Sequence, residues 1–120
     1  MIGIDLVKVS RIEKFIEKYG DKALKKFLRD EEIKLVKKPV TAAGFWAAKE
    51  AIAKALKTGI GSELSFHDIT IYKEKSGAPN FMLSSKITEK HQITDTSLSI
   101  SHDGEYAVAV AVIEKINYTL

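Results

Sequence analysis

The sequence predicts an α+β fold: an N-terminal strand, then helices including one long central helix, then an antiparallel sheet. Three observations carry this. A period of two runs from Ile2 to Val7, helical patterns follow between Ser10 and Lys57 with alanine concentrated from Ala42 on, and the period of two returns from His67 onward. The 120 residues suit one modest core, so residues 1–120 are expected to form a single domain.

Residues 2–7 read as a strand with Ile2, Ile4 and Leu6 on one face and Gly3, Asp5 and Val7 on the other. Ser10 and Glu13 match a capping box opening a helix, with Ile12, Phe15, Ile16 and Tyr19 as its apolar stripe and Gly20 as its stop. Asp21 opens a short helix carrying Leu24, Phe27 and Leu28, and Asp30 caps another running through Ile33 to Val36. Pro39 breaks the chain and leaves Lys37 and Lys38 in a loop. Thr41 caps the longest helix, about Ala42 to Lys57, since seven alanines fall in that span and Gly59 and Gly61 end it. His67 to Lys73 is a strand with Ile69 and Ile71 inward, Lys75 to Pro79 a turn, Asn80 to Leu83 the returning strand, and Ser85 to His91 a short helix. Thr96 to His102 and Glu105 to Ile113 pair as a hairpin around Asp103-Gly104. In its last strand Val108, Val110 and Val112 face one way and Ala107, Ala109 and Ala111 the other. Both faces look buried, and the alanine face has room for either the long helix or another subunit.

Composition narrows the function. No apolar run approaches the roughly 20 residues a membrane span needs, and Ile2 to Val7 is too short and acidic for a secretion signal. A cytoplasmic protein that engages no membrane is expected. The absence of cysteine excludes disulfides, thiolate zinc sites and a cysteine nucleophile. Nineteen Lys and Arg against sixteen Asp and Glu give a formal charge of +3. That excess suits a polyanionic ligand, an acidic protein partner or nucleic acid, and charge alone does not choose among them.

Several residues stand out. Asp5, inside an otherwise apolar strand, is either an edge or salt-bridged position or a hard-cation ligand on a rigid element. On the long helix Phe45, Ile52 and Leu56 share a narrow arc, and Lys49 lies about 40° from Phe45 at its border. Glu50, Lys54 and Lys57 cluster on an adjacent face. Singly, Glu50–Lys54 is an ordinary i, i+4 pair and Lys49 a snorkelling lysine. Together one carboxylate and two lysines beside the apolar seam form a surface for a metal–phosphate group. Gly59 and Gly61 allow close backbone approach to a ligand, although a helix stop explains them equally. Ser101-His102 sits at the hairpin mouth, where His102 is a structural histidine or a phosphate donor. A Ser101-His102-Asp103 triad is excluded, because neighbours on a strand point apart. His67 and His91 read as surface or packing residues. Arg11, Lys22, Lys25, Lys26 and Arg29 are a solvated face or a dock for an acidic partner.

Gly3-Ile4-Asp5-Leu6-Val7 with Arg11 resembles the N-terminal signature of the holo-acyl-carrier-protein synthases, and Trp46-Ala47-Ala48-Lys49-Glu50-Ala51 with Lys54 resembles their central helix motif. Thr58-Gly59-Ile60-Gly61, Phe66-His67-Asp68-Ile69, Gly77-Ala78-Pro79, and Ser99 to His102 with Tyr106-Ala107 continue in the family's order. The resemblance implies transfer of 4′-phosphopantetheine from coenzyme A to a serine of apo acyl carrier protein, with Mg²⁺, release of 3′,5′-ADP and a place in fatty acid biosynthesis. By position it implies Asp5 and Glu50 as metal ligands, with Asp5, Glu50 and Lys54 catalytic. It implies contacts to coenzyme A from Lys49, Lys54, Ser101, His102, Gly59, Gly61, Lys37 and Lys38. Arg11, Lys26 and Arg29 would dock the carrier protein. A homotrimer with active sites between subunits is expected, and the alanine strand is compatible with it. Two departures are Phe45, where relatives often carry arginine before the aromatic, and Asp103, where a threonine-like residue is usual.

In the implied reaction the enzyme positions groups and stabilises charge. Lys54 offsets charge on the leaving phosphate and Glu50, directly or through a metal-bound water, takes the serine proton. A catalytically impaired coenzyme A-binding protein is the alternative. A nucleic-acid-binding module is disfavoured, because few lysine clusters are interleaved with aromatic residues.

Overall fold

The computed structural model describes residues 1–116 and has the α+β architecture. Strand β1 (Ile2–Lys8) runs into helix α1 (Val9–Tyr19), followed by α2 (Asp21–Phe27), the one-turn α3 (Asp30–Ile33) and the long α4 (Pro39–Ala55). A 3₁₀ turn at Phe66–Asp68 precedes β2 (Ile69–Lys73), β3 (Pro79–Leu83), α5 (Ser85–His91), β4 (Ile93–Asp103) and β5 (Tyr106–Lys115). The strands form two antiparallel sheets, β1-β5-β4 and β2-β3.

Helix α4 lies on the three-stranded sheet, and small residues on both sides bring the backbones together. The register sets Gly3, Asp5 and Val7 of β1 opposite Ala111, Ala109 and Ala107 of β5, with Leu98, Ile100 and His102 of β4 completing the rows. A Cβ on Gly3 would fall 1.9 Å from the Ala51 carbonyl oxygen, and one on Gly44 2.9 Å from Ile100 Cγ2. The alanine face of β5 therefore meets the helix, not another subunit. Contrary to the expectation of two buried faces, the reverse side is open. Val108, Val110 and Val112 are half-buried there, and Ile2, Ile4 and Leu6 are 70%, 59% and 61% exposed.

Three local expectations change. No side chain caps α1, and Ser10 lies inside it, because the strand passes directly into the helix at Val9, whose amide donates to the Glu105 carbonyl at 2.7 Å. Pro39 opens α4 at its first turn, where a missing amide hydrogen costs nothing, so the helix spans Pro39–Ala55 and Thr41 is no cap. The hairpin closes one residue later than expected: Asp103 pairs with Tyr106, and Gly104, with φ 57°, takes the first loop position.

Candidate functional site

Asp5 projects from the inner face of β1 beside the C-terminal half of α4, where Gly3 and Ala51 let strand and helix touch. Its Oδ1 accepts a hydrogen bond from Lys54 Nζ at 2.9 Å, and the same ammonium donates to the Ile4 carbonyl at 3.1 Å. Lys54 is 56% exposed and Asp5 17%, so the pair stands at the water boundary. Glu50, one turn before Lys54, has its carboxyl held above the ordinary range, first by desolvation and then by the negative charge of Asp5. The positive charges of Lys54 and Arg11 oppose that shift. Two carboxylates from separate elements thus share one field with two cations around them.

The donor set fits a hard divalent ion. Two carboxylates repel each other and a cation relieves both; among the described residues no third His, Cys, Asp or Glu joins such a cluster. The remaining coordination positions would fall to water and phosphate oxygens, the habit of Mg²⁺.

Lys49 corrects the sequence expectation of a coenzyme contact. Its ammonium is fully buried, donating to Glu32 Oε1 at 2.8 Å and to the Phe66 carbonyl at 3.0 Å. A sealed ammonium has no surface to offer a phosphate. Burial lowers its pKa and the Glu32 charge opposes the fall. Glu32 was missed in the sequence; its only trace was Lys49 itself, a cation bordering the core stripe and needing a partner.

Arg11 and Lys26 line one groove of about 330 Å³ with Ile12, Phe15, Tyr19 and Trp46. Arg11 stands 5.5 Å over the Trp46 ring and Lys26 5.8 Å from the centroid of Phe15. Lys14 and Lys18 complete the rim and were overlooked, although the spacing 11, 14, 18 puts them on one helical face. Arg29 lies apart from this groove, with its side chain 44% exposed. Its Nε is paired with Glu31 at 2.9 Å, and its guanidinium also donates to the His67 carbonyl.

The other residues lie apart within one chain. Gly59 wraps the end of α4, its amide donating to the Ala53 carbonyl at 3.4 Å, and Gly61 follows it. Lys37 and Lys38 are exposed before the N-terminus of α4, with Lys38 about 18 Å along the axis from Glu50. His102 is on the inner face two strands from β1, about 10 Å across the sheet, and Ser101 points to the outer face beside Val108 and Leu6. Phe45 is buried in the core.

Comparison with known proteins places the sequence and the fold in one family. Residues 1–111 match the model of the 4′-phosphopantetheinyl transferase superfamily. A holo-[acyl-carrier-protein] synthase from Nitratiruptor sp. is 62% identical over 94% of this chain and 97% of its own. The crystal structure of Helicobacter pylori holo-[acyl-carrier-protein] synthase in complex with coenzyme A superposes with a TM-score of 0.92 at 47% identity, covering 95% of this chain and all (100%) of that one. The Bacillus anthracis synthase in complex with CoA (3′,5′-ADP) gives 0.80 at 36% identity, covering 96% of each chain. With family model, sequence and fold in agreement over nearly the whole chain, it belongs to the 4′-phosphopantetheinyl transferase superfamily as an enzyme of the holo-[acyl-carrier-protein] synthase family.

Proposed function

We propose that the chain transfers 4′-phosphopantetheine from coenzyme A to a serine of an apo acyl carrier protein, magnesium-dependently, releasing 3′,5′-ADP and supplying the loaded carrier for fatty acid biosynthesis. The supporting observation is the 2.9 Å contact of Asp5 with Lys54, distant in sequence, which sets Asp5 beside the turn of α4 that carries Glu50, whose carboxyl feels the Asp5 charge. Asp5 and Glu50 would hold the ion, which when bound supplies charge neutralisation for the diphosphate.

The chain's own residues account for the rest. The serine Oγ attacks the β-phosphorus while the bond to the 3′,5′-ADP oxygen breaks, and the serine proton passes to Glu50, whose proton affinity desolvation and the Asp5 charge raise. Lys54, held by Asp5 and the Ile4 carbonyl yet 56% exposed, offsets charge on the departing phosphate. The groove of Arg11, Lys14, Lys18 and Lys26 with its aromatic floor suits an acidic helix.

The apolar outer face of β1 and β5 supports a homotrimer with sites between protomers. In that arrangement Lys37, Lys38, Ser101 and His102, which lie away from Asp5 in their own chain, serve a neighbour's site. Residues 1–120 act as one domain in a cytoplasmic enzyme.

The test is to incubate the protein with apo carrier protein, coenzyme A and Mg²⁺ and weigh the carrier. A gain of one phosphopantetheine is expected, with sedimentation of the same sample showing a trimer. Binding of coenzyme A with no gain on any carrier would leave only the impaired binder.

A further inference from the structure

Building on the transferase function above, we propose that the buried Glu32–Lys49 pair is the clamp that sets the register of α4 and so positions Glu50 and Lys54 against Asp5. The need for a clamp comes from the seam. Helix α4 meets the sheet through Gly44, Ala51 and Ala55, against Gly3 and Ile100, and the buried face of β5 is Ala107, Ala109 and Ala111. Such surfaces approach closely and offer few protruding side chains to lock one ridge into one groove: Ile100 seats at Gly44, and the Lys54 bonds to Asp5 and the Ile4 carbonyl add a tie at the solvent boundary. A smooth seam resists separation more than it resists sliding or rotation. Glu50 and Lys54 ride on that helix, and Asp5 rides on the strand beneath it.

The pair supplies a directional tie that is shielded from water. Lys49 Nζ donates to Glu32 Oε1 at 2.8 Å and to the Phe66 carbonyl at 3.0 Å. Glu32 also accepts the Arg29 amide on Oε1 at 2.6 Å and the Ile71 amide on Oε2 at 2.8 Å. One salt bridge thus ties α4 to α3, the 3₁₀ turn and β2, with both side chains fully buried. Charge-assisted bonds in a dry site are short and angle-dependent, so they hold the helix more tightly than dispersion across alanines does. Lys49 sits about 100° around the helix from Glu50. Fixing one flank therefore fixes the rotation at which the other presents its carboxylate. Neither Glu32 nor Lys49 reaches the Asp5 site, and both act on it only through the helix.

The test compares the wild type with Glu32→Gln/Lys49→Met, which removes both buried charges and leaves one carbonyl oxygen for the backbone amides. Three quantities are read on folded protein: Mn²⁺ affinity without substrate, kcat, and KM for the carrier protein. We expect Mn²⁺ binding and kcat each to fall about tenfold to a hundredfold, as a displacement near 1 Å does. The carrier KM should change less than kcat, because Arg11, Lys14, Lys18 and Lys26 of α1 and α2 carry the groove's charge and Trp46 is its one lining residue on α4. Mn²⁺ affinity and kcat both within about twofold of wild type would overturn the proposal and leave the pair a purely structural one. If the double variant does not fold, Lys49→Arg keeps the charge but changes its length and shape, and the same losses are expected of it. A wild type that transfers nothing would sink the transferase function, while the Mn²⁺ comparison would still decide the clamp.

Discussion

Two lysine–carboxylate pairs hang from helix α4, with lysines five positions apart, and their surroundings are opposite. Lys49 and Glu32 are fully buried, and every oxygen of Glu32 has a donor. Lys54 and Asp5 stand at the solvent boundary with Glu50 beside them. The first pair has no room for a ligand. The second has a half-exposed ammonium, and its neighbouring carboxyl resists ionisation. Equal chemistry is thus sealed and satisfied in one place, and open to solvent with a charge to share in the other.

The largest effect should come from breaking the sealed pair on one side only. Lys49→Met strands the Glu32 carboxylate in the core and is expected to lower unfolding free energy by about 3–5 kcal/mol, read from urea midpoints. A shift below about 1 kcal/mol would mean that the two pairs do not differ in kind.

The reciprocal change at the open pair is expected to reverse the pattern. Asp5→Asn should cut transfer on the order of 10²–10³-fold, while stability moves by less than about 1 kcal/mol, because exposed pairs contribute little. Full transfer by this variant at saturating Mg²⁺ would remove Asp5 from the site.

The smallest effect sharpens the contrast through pH. Folding raises the Glu50 pKa, so Glu50 favours the native state while protonated and that contribution is lost as pH rises through the folded value. Glu50→Gln is therefore expected to stabilise the fold at pH 7 by roughly 0.2–1 kcal/mol after allowance for solvent screening. The gain should vanish near pH 3, where Glu50 is protonated in both states. Thermal midpoints at the two pH values check this, and an equal shift at both would assign the effect to packing.

Much of the fold was legible because local periodicity reports local structure. Strand β1, the helical middle and the closing hairpin follow from spacing, as does most of the expected His67–Lys73 strand, which starts at Ile69 because a 3₁₀ turn takes Phe66–Asp68. The errors fell at boundaries, where Ser10, Thr41 and Asp103 match common caps and turns but the neighbouring strand or proline decided otherwise. At the candidate site the motif flagged Asp5, Glu50 and Lys54, yet it also flagged Lys49. A helical wheel distinguishes faces but not what lies against them.

By itself, then, the sequence determined the order of the elements, the helix that bears Glu50 and Lys54, and the excess of basic residues along α1 and α2. Only the tertiary structure decided that Asp5 lies beside Lys54, that Lys49 is sealed on Glu32, and that Ile2, Ile4 and Leu6 face outward. Periodicity records a side chain's direction relative to its own backbone, whereas burial, desolvation and charge pairing depend on which distant segment packs against it.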